Sequence, residues 1–329
     1  MACTTAEYQS QPATLMQLLF LLNLLLLPPS PGLLFPHYNS MTSSNLSASP
    51  SSWDAFCLEY EKRVEPFTSQ FAEEMIARLS GHESKTKQKL LDVGCGTGAV
   101  ALLGISQGWD VAVTDVSEAM VERTRERISA QLPEKSKLID NQIVDGRNLP
   151  DRWSSSFDLA MANFSVIFFP QPVDGLKEIF RCLVPGTGRV AFTAWGSPSE
   201  TPAFCVFKDV LLEMHPELVD GNRPKRITGS VQVLEDLLKE AGFVDVTVEG
   251  PIFKTLVVKN ASEYYNRFAL TSPPTAATLE KMDLETRQAF RKRVMDVAIA
   301  RGGREDGSIA LDSGAFIAYG RKPSILHSE

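Results

Sequence analysis

A glycine-rich turn between an apolar strand and a small-residue helix constrains this chain most. Residues 89–100 read KLLDVGCGTGAV. An apolar pair leads into Asp92, and Gly94, Gly96 and Gly98 follow on alternate positions. This pattern predicts a strand that turns sharply into a helix around a ligand. Glycines let the backbone come close to that ligand, and a helix start offers amide N–H groups to an anionic group.

The chain around the turn alternates strand and helix. Strands are predicted at 89–95, 110–116, within 137–146, within 157–169 and at 188–196, with helices over 97–107, 117–132 and 172–186. Ser117 or Asp115 caps the second of these helices, and Pro185 and Gly186 stop the third. Such spacing means βαβ units and a parallel sheet covered on both faces. The strands are apolar on both sides, as burial between two helix layers requires. Ahead of the turn, 53–80 has helical spacing, with Pro66 dividing two helices and Gly81 ending the second. Behind it, a helix is expected over 231–243, strands at 244–250 and 253–259, helices at 261–270 and 276–300, and a closing strand at 314–323. The stretch TSPPTAAT (271–278) reads as a loop between helices.

Composition narrows the function. There are 329 residues, 43% of them hydrophobic, enough for one large domain or a core with a smaller attachment. With 40 acidic and 33 basic residues the formal charge is -7, which gives no electrostatic footprint for nucleic acid. The dense run RTRER (123–127) reads as the solvated face of a helix. The five cysteines show no CxxC pair, which argues against a disulfide framework or structural zinc and fits a reducing, intracellular compartment. The four histidines show no metal-ligand spacing, so no metal site is expected.

Two ligand classes fit the turn: a dinucleotide with its pyrophosphate, or S-adenosylmethionine. Gly94, Gly96 and Ala99 even satisfy the dinucleotide form GxGxxA, a weak match on its own. Asp115, at the end of the second strand, is placed for ribose hydroxyls in both. The surroundings separate them. Asp92 would repel a pyrophosphate, whereas it suits an ammonium group and a sulfonium charge. Asp145, after the third strand, can accept a hydrogen bond from an adenine amino group.

The motifs LDVGCGTG, D-x-S-x-x-M at 115–120, FD at 157–158 and LVPGTGRV at 183–190 occur in order. Together they resemble the class I S-adenosylmethionine-dependent methyltransferases, most nearly the small-molecule group related to ubiquinone and menaquinone biosynthesis. The resemblance runs from about Trp53 to Pro323. It implies a Rossmann-like α/β fold: a doubly wound seven-stranded sheet whose last strand, antiparallel, lies between the fifth and sixth, plus a helical cap over the substrate. It further implies that Gly94, Cys95 and Gly96 pack on the methionine part of the cofactor and that Asp92 faces its amino group. Asp115 accepts the ribose hydroxyls and Val116 packs on the adenine. Asp145 takes the adenine amino group, with the Gly146 amide nearby. Asn163 and Phe164 border the methyl group, and Tyr60 reaches in from the amino-terminal helix. The expected organisation is an apolar segment and linker at 1–50, amino-terminal helices at 51–85, the cofactor-binding core at 86–250, cap helices with a strand at 251–313, and the closing strand at 314–323.

The segment 14–27, TLMQLLFLLNLLLL, reaches about 21 Å as a helix, short of the ~30 Å of a bilayer core. Three readings stay open: a targeting or anchoring segment, an untranslated extension with Met41 as the working start, or a packed helix. Any membrane contact is expected only there.

Several residues have plainer readings. Cys95 is expected to fit by size and not to act as a nucleophile. His215 is expected to face solvent. Asp92 can cap the following helix as well as meet a ligand. Phe164, Phe168 and Phe169, like Trp195, Phe204 and Phe207, serve either as core filling or as walls of an acceptor pocket. The expected reaction is an in-line displacement in which a small organic acceptor takes the sulfonium methyl. Positioning supplies the catalysis, worth up to ~7–11 kcal/mol. No general base is assigned. An NAD-dependent oxidoreductase, or a cofactor-binding protein of this fold without turnover, are the alternatives.

Overall fold

The computed structural model describes residues 50–80, 88–132, 137–219 and 229–324. The apolar segment at 14–27 and Gly81 lie outside them.

Seven strands form one sheet in the order β3-β2-β1-β4-β5-β7-β6. They are β1 (Lys89–Val93), β2 (Asp110–Asp115), β3 (Leu138–Ile143), β4 (Leu159–Ala162), β5 (Arg189–Trp195), β6 (Val244–Val258) and β7 (Ile309–Arg321). The first five run parallel. β7 is antiparallel to both β5 and β6 and sits between them, as the resemblance implied. The strands expected at 244–250 and 253–259 are one strand, with its register shifted between Glu249 and Ile252. Pro251, at that shift, has no amide to give the ladder.

Alternation along β1 divides the core. Leu90 joins Met75, Val100, Ile105 and Ile128 on one face. Leu91 and Val93 join Leu176, Ile179, Leu234 and Leu238 on the other. The first face is covered by α2 (Glu65–Ser80), α3 (Ala99–Ser106) and α4 (Glu118–Gln131). The second is covered by α5 (Pro172–Cys182) and α7 (Val231–Glu240). α1 (Pro50–Arg63) precedes α2, and α6 (Pro202–Met214) follows β5. Caps were partly legible: Ser117, not Asp115, accepts from the Met120 amide at the start of α4.

The insertion before β7 corrects two expectations. It contains α8 (Ala261–Ala269), α9 (Pro273–Glu280) and α10 (Leu284–Gly302). TSPPTAAT is therefore not a loop. Pro273 and Pro274 occupy the first positions of α9, where a missing N–H costs nothing and a fixed φ favours helix. The single helix expected over 276–300 breaks at Asp283, whose side chain caps α10 by accepting from the Thr286 amide at 2.7 Å.

β1 lies between β2 and β4, where the chain leaves one half of the sheet for the other. In open parallel sheets ligands bind at the carboxyl ends of strands flanking such a switch. The ends of β1, β2 and β4 carry Asp92, Asp115 and Asn163. α2 packs beside them through Phe71, which is fully buried and meets Phe164 and Trp195 edge-on. Phe71→Ala is expected to cost about 3–5 kcal/mol, read as a lowered urea midpoint; a loss under about 1 kcal/mol would show that α2 is not part of the core.

Candidate cofactor site

The turn after β1 is held by its own backbone. Gly94 and Cys95 donate their amides to the Thr114 carbonyl at 2.8 and 2.9 Å, and Gly96 donates to Asp115 Oδ2 at 3.0 Å. These amides are spent inside the protein, so they are not the anion cradle expected from the glycine pattern. Gly94 has φ +69°, and a Cβ there would lie 2.4 Å from Cβ of Ser165. Ser165 in turn donates to the Val93 carbonyl at 2.5 Å. Only glycine fits that crossing of β1 and β4.

A small cavity opens beside the turn. Tyr60, Glu65, Thr68, Asp92, Gly94, Cys95, Gly96 and Asn163 are among its lining residues. It measures about 20 Å³, which is room for about one water. Tyr60 and Glu65 must therefore withdraw before a larger ligand group reaches Asp92.

Asp92 is 1% exposed, and its Oδ2 has no hydrogen-bond partner. Burial pushes its carboxyl up to about 8, with Asp115 and Glu65 adding repulsion and the Ala101 amide opposing. That amide belongs to α3, so Asp92 faces both the helix start and the cavity. Asp115 is also raised, by burial against the amides of Gly96, Ser117 and Val116. Its Oδ1 accepts from the Ser117 amide at 3.0 Å. Asp92 and Glu65 thus line one small space, with Asp115 behind the turn on the Gly96 amide.

Asn163 is fixed from two sides. Its Nδ2 donates to the Thr68 carbonyl of α2 at 3.1 Å, and its Oδ1 accepts from Thr193 at 3.0 Å. Thr193 also accepts the Phe164 amide at 2.7 Å. Phe164 has φ +56°, a left-handed conformation rare for a bulky residue. It lays its ring on Trp195, 3.8 Å away and 14° from parallel. Phe67, Phe71 and Phe204 surround Trp195. Phe168 instead packs on Trp53, and Phe169 lies against Gly146 and Gly175.

The other sequence candidates divide. Cys95 is buried and its thiol is raised, so it is no nucleophile. Tyr60 stands over Gly96, with its phenol pushed up to about 12 by burial. Val116 is half-buried beside Asp115. Asp145 follows Val144, whose amide bonds the Asp115 carbonyl at 2.9 Å. Its carboxylate is turned to Arg147, which holds it at 2.6 Å and keeps its pKa low. Gly146 is buried, and a Cβ there would strike Phe169 and Val93. Neither lines the cavity beside Asp92. His215 ends α6, is 20% exposed, and pairs with Glu217 at 3.2 Å, away from the turn.

Sequence reasoning missed Glu65 and Thr68. Glu65 is 8% exposed and accepts from Thr97 and from Arg127, the latter at 2.7 Å. RTRER is thus not a solvated face throughout. Arg125 is solvated with Glu122, but Arg123 and Arg127 hold Glu61 and Glu65 of the amino-terminal helices. Asp54 adds bonds to the Ser117 hydroxyl and the Ala119 amide. No local pattern announces contacts between residues some sixty positions apart.

Residues 90–186 match the family described as the methyltransferase domain. The sheet order, the turn and this match give residues 90–186 the likeness of a class I S-adenosylmethionine-dependent methyltransferase domain. Among curated relatives, an aklanonic acid methyltransferase of Streptomyces sp. (strain C5) is 33% identical over 41% of this chain and 63% of its own length. An O-methyltransferase of Aspergillus sclerotiorum is 29% identical over 56% of this chain and 64% of its own. The chain thus spans less than two thirds of these relatives. In fold, it resembles a Bacillus halodurans C-125 protein assigned as a methyltransferase, with a TM-score of 0.50, 19% identity, and coverage of 76% of this chain and all of that one.

The state of Asp92 is testable. The folded protein keeps a proton there that the unfolded chain gives up near its ordinary value of 3.8. Stability should therefore fall as pH rises from about 4 to about 8. Asp92→Asn is expected to melt higher than the parent at pH 8, with the gap closing toward pH 4. Equal melting at both ends would mean that the carboxyl is not desolvated.

Proposed function

We propose that the chain binds S-adenosylmethionine at Asp92 and Asp115 and passes its methyl group to a small organic acceptor. The observation that carries this is the unpartnered, buried Oδ2 of Asp92, beside Glu65 in the cavity and repelled by both Glu65 and Asp115. An ammonium group would supply the missing donor, and a pyrophosphate would meet repulsion. When bound, the cofactor would supply a methyl group on positively charged sulfur for in-line displacement by the acceptor, with S-adenosylhomocysteine as the leaving group.

The chain's own work is positioning. Asp92 receives the ammonium. Gly94, Cys95 and Gly96 admit the methionine part, and Tyr60 closes over it. Asp115 offers its carboxylate to the ribose, with Val116 beside the adenine. Asp145 reaches the adenine amino group if it gives up Arg147, and the Gly146 amide lies next to it. Asn163 and Phe164 border the transferred methyl. The core at 86–250 binds the cofactor, and the helices within 251–313 cover the acceptor. Acidic balance and an aromatic acceptor side favour a small molecule over nucleic acid. Four unpaired cysteines among the described residues fit an intracellular protein. No helix among those residues is long and apolar enough to cross a membrane.

Calorimetric titration with S-adenosylmethionine, S-adenosylhomocysteine and NADH tests the reading. Saturable binding of the two sulfur ligands alone is expected; binding of NADH alone would overturn it. Asp115→Ala should weaken cofactor binding by about 1.5–3 kcal/mol, the worth of hydrogen bonds to a charged group. Unchanged affinity would remove Asp115 from the site. Binding should also release protons, because the ammonium favours ionised Asp92. From pH 6 to 7 affinity should rise about tenfold. Affinity flat across that range would separate Asp92 from the ligand.

A further inference from the structure

A second cavity lies on the cap side of the amino-terminal helices. It holds about 350 Å³ between α1–α2, the far half of β6, and α8, a volume suited to a small molecule. Its ionisable lining is four basic residues, Lys62, Arg63, Lys259 and Arg267, and one acid, Glu263. That acid is already paired with Arg63.

Arg267 is the unusual member. It is 4% exposed, and among the described residues no carboxylate lies within ion-pair distance of it. Buried charges are otherwise paired. A guanidinium has five N–H donors. This one reaches the Val64 carbonyl at a long 3.4 Å and lies 5.5 Å from the centre of the Phe67 ring. Burial lowers its pKa to about 10, with only the Tyr60 and Tyr264 phenols opposing. It is therefore a cation at neutral pH, set in a cavity wall without its anion.

The cavity is joined to the methyl site by rings. Phe67, beneath Arg267, is parallel to Trp195 at 6.0 Å and 3°. Trp195 lies on Phe164 at 3.8 Å. Tyr60 lines the cofactor cavity and sits close enough for its phenol to act on Arg267. The same packed rings lie between a molecule anchored at Arg267 and the pair Asn163 and Phe164.

We propose that Arg267 binds a carboxylate of the methyl acceptor, which is a small organic acid with an apolar, ring-bearing body. One buried guanidinium matches one planar monoanion in charge and in fork geometry. The proposal rests on the methyltransferase reading and names its substrate class.

The test uses the full chain, with benzoate and cinnamate as probes and benzamide as the neutral counterpart. Each is titrated by calorimetry with and without S-adenosylhomocysteine. The carboxylates should bind saturably in both conditions, and benzamide should not bind. Arg267→Met should weaken carboxylate binding at least about tenfold, while the affinity for S-adenosylhomocysteine stays within about twofold. It removes an uncompensated buried charge, so it should fold at least as well as the parent. Arg267→Lys keeps the charge without the fork and should bind the probes several-fold more weakly. No carboxylate binding to the parent, or equal binding in Arg267→Met, would overturn the proposal. Should the methionine variant not fold, parental affinity in Arg267→Lys overturns it. Carboxylate binding without any S-adenosylhomocysteine binding would leave this site standing and sink the cofactor reading; the reverse result would do the opposite.

Discussion

One carboxylate oxygen without a partner, on Asp92 at the end of the central strand, organises the rest of the molecule. β1 is flanked on both sides, so Asp92 is fixed in register by Val113 of β2 and Met161 of β4. Burial there costs free energy in the free protein. The neighbourhood tolerates it because the carboxyl holds its proton. Asp115 and Glu65 add to the repulsion instead of relieving it. A buried acid repelled by two others is the setting that a cation would relieve, as the proposed function requires. Of the amino-terminal helices that close this space, α2 is anchored in the core by Phe71, Met75 and Leu79, whereas α1 is tied to α4 by Glu61 against Arg123 and by Asp54. Ion pairs of that kind at partly exposed positions are individually weak. Withdrawal of Tyr60, on α1, is thus compatible with an otherwise rigid sheet.

The two cavities have opposite character. The one at Asp92 is acidic, and the one at Arg267 is basic. Between them stands a wall of Phe67, Phe71, Trp195 and Phe164. On the proposed function, the arrangement would orient two reactants by charge, with an apolar zone between them. Excluding water from that zone strengthens every electrostatic interaction beside it. It also accounts for catalysis without a dedicated base in the turn itself, since positioning alone accelerates reaction when the leaving group is already activated.

Much of this was legible in the chain itself. The turn, Asp92, Asp115 and the order of strands follow from local pattern, because each is written within a dozen residues. The antiparallel place of β7 came from family resemblance and not from periodicity. What escaped was long-range or ambiguous chemistry. Glu65 and Arg127 are ordinary helix residues until the helices meet. Asp145 has the expected place beside Asp115, but Arg147, two positions on, takes its carboxylate. The prolines of α9 looked like breakers because the same residue begins helices and ends them. Arg267 sits in an unremarkable amphipathic stretch, and only burial without a partner sets it apart.

Phe164 shows how the two halves of the site are coupled. A bulky side chain at φ +56° is strained, and such strain persists where surrounding structure overdetermines it. Here the constraint is a relay of hydrogen bonds: Phe164 to Thr193, Thr193 to Asn163, Asn163 to the backbone of α2 at Thr68. Thr68 lines the cofactor cavity, and Phe67, next in chain, lines the acceptor side. A shift of α2 that makes room beside Asp92 therefore cannot leave the Phe67–Trp195–Phe164 stack unchanged. If the two proposed ligands bind as argued, cofactor entry and the shape of the acceptor wall would be linked through α2.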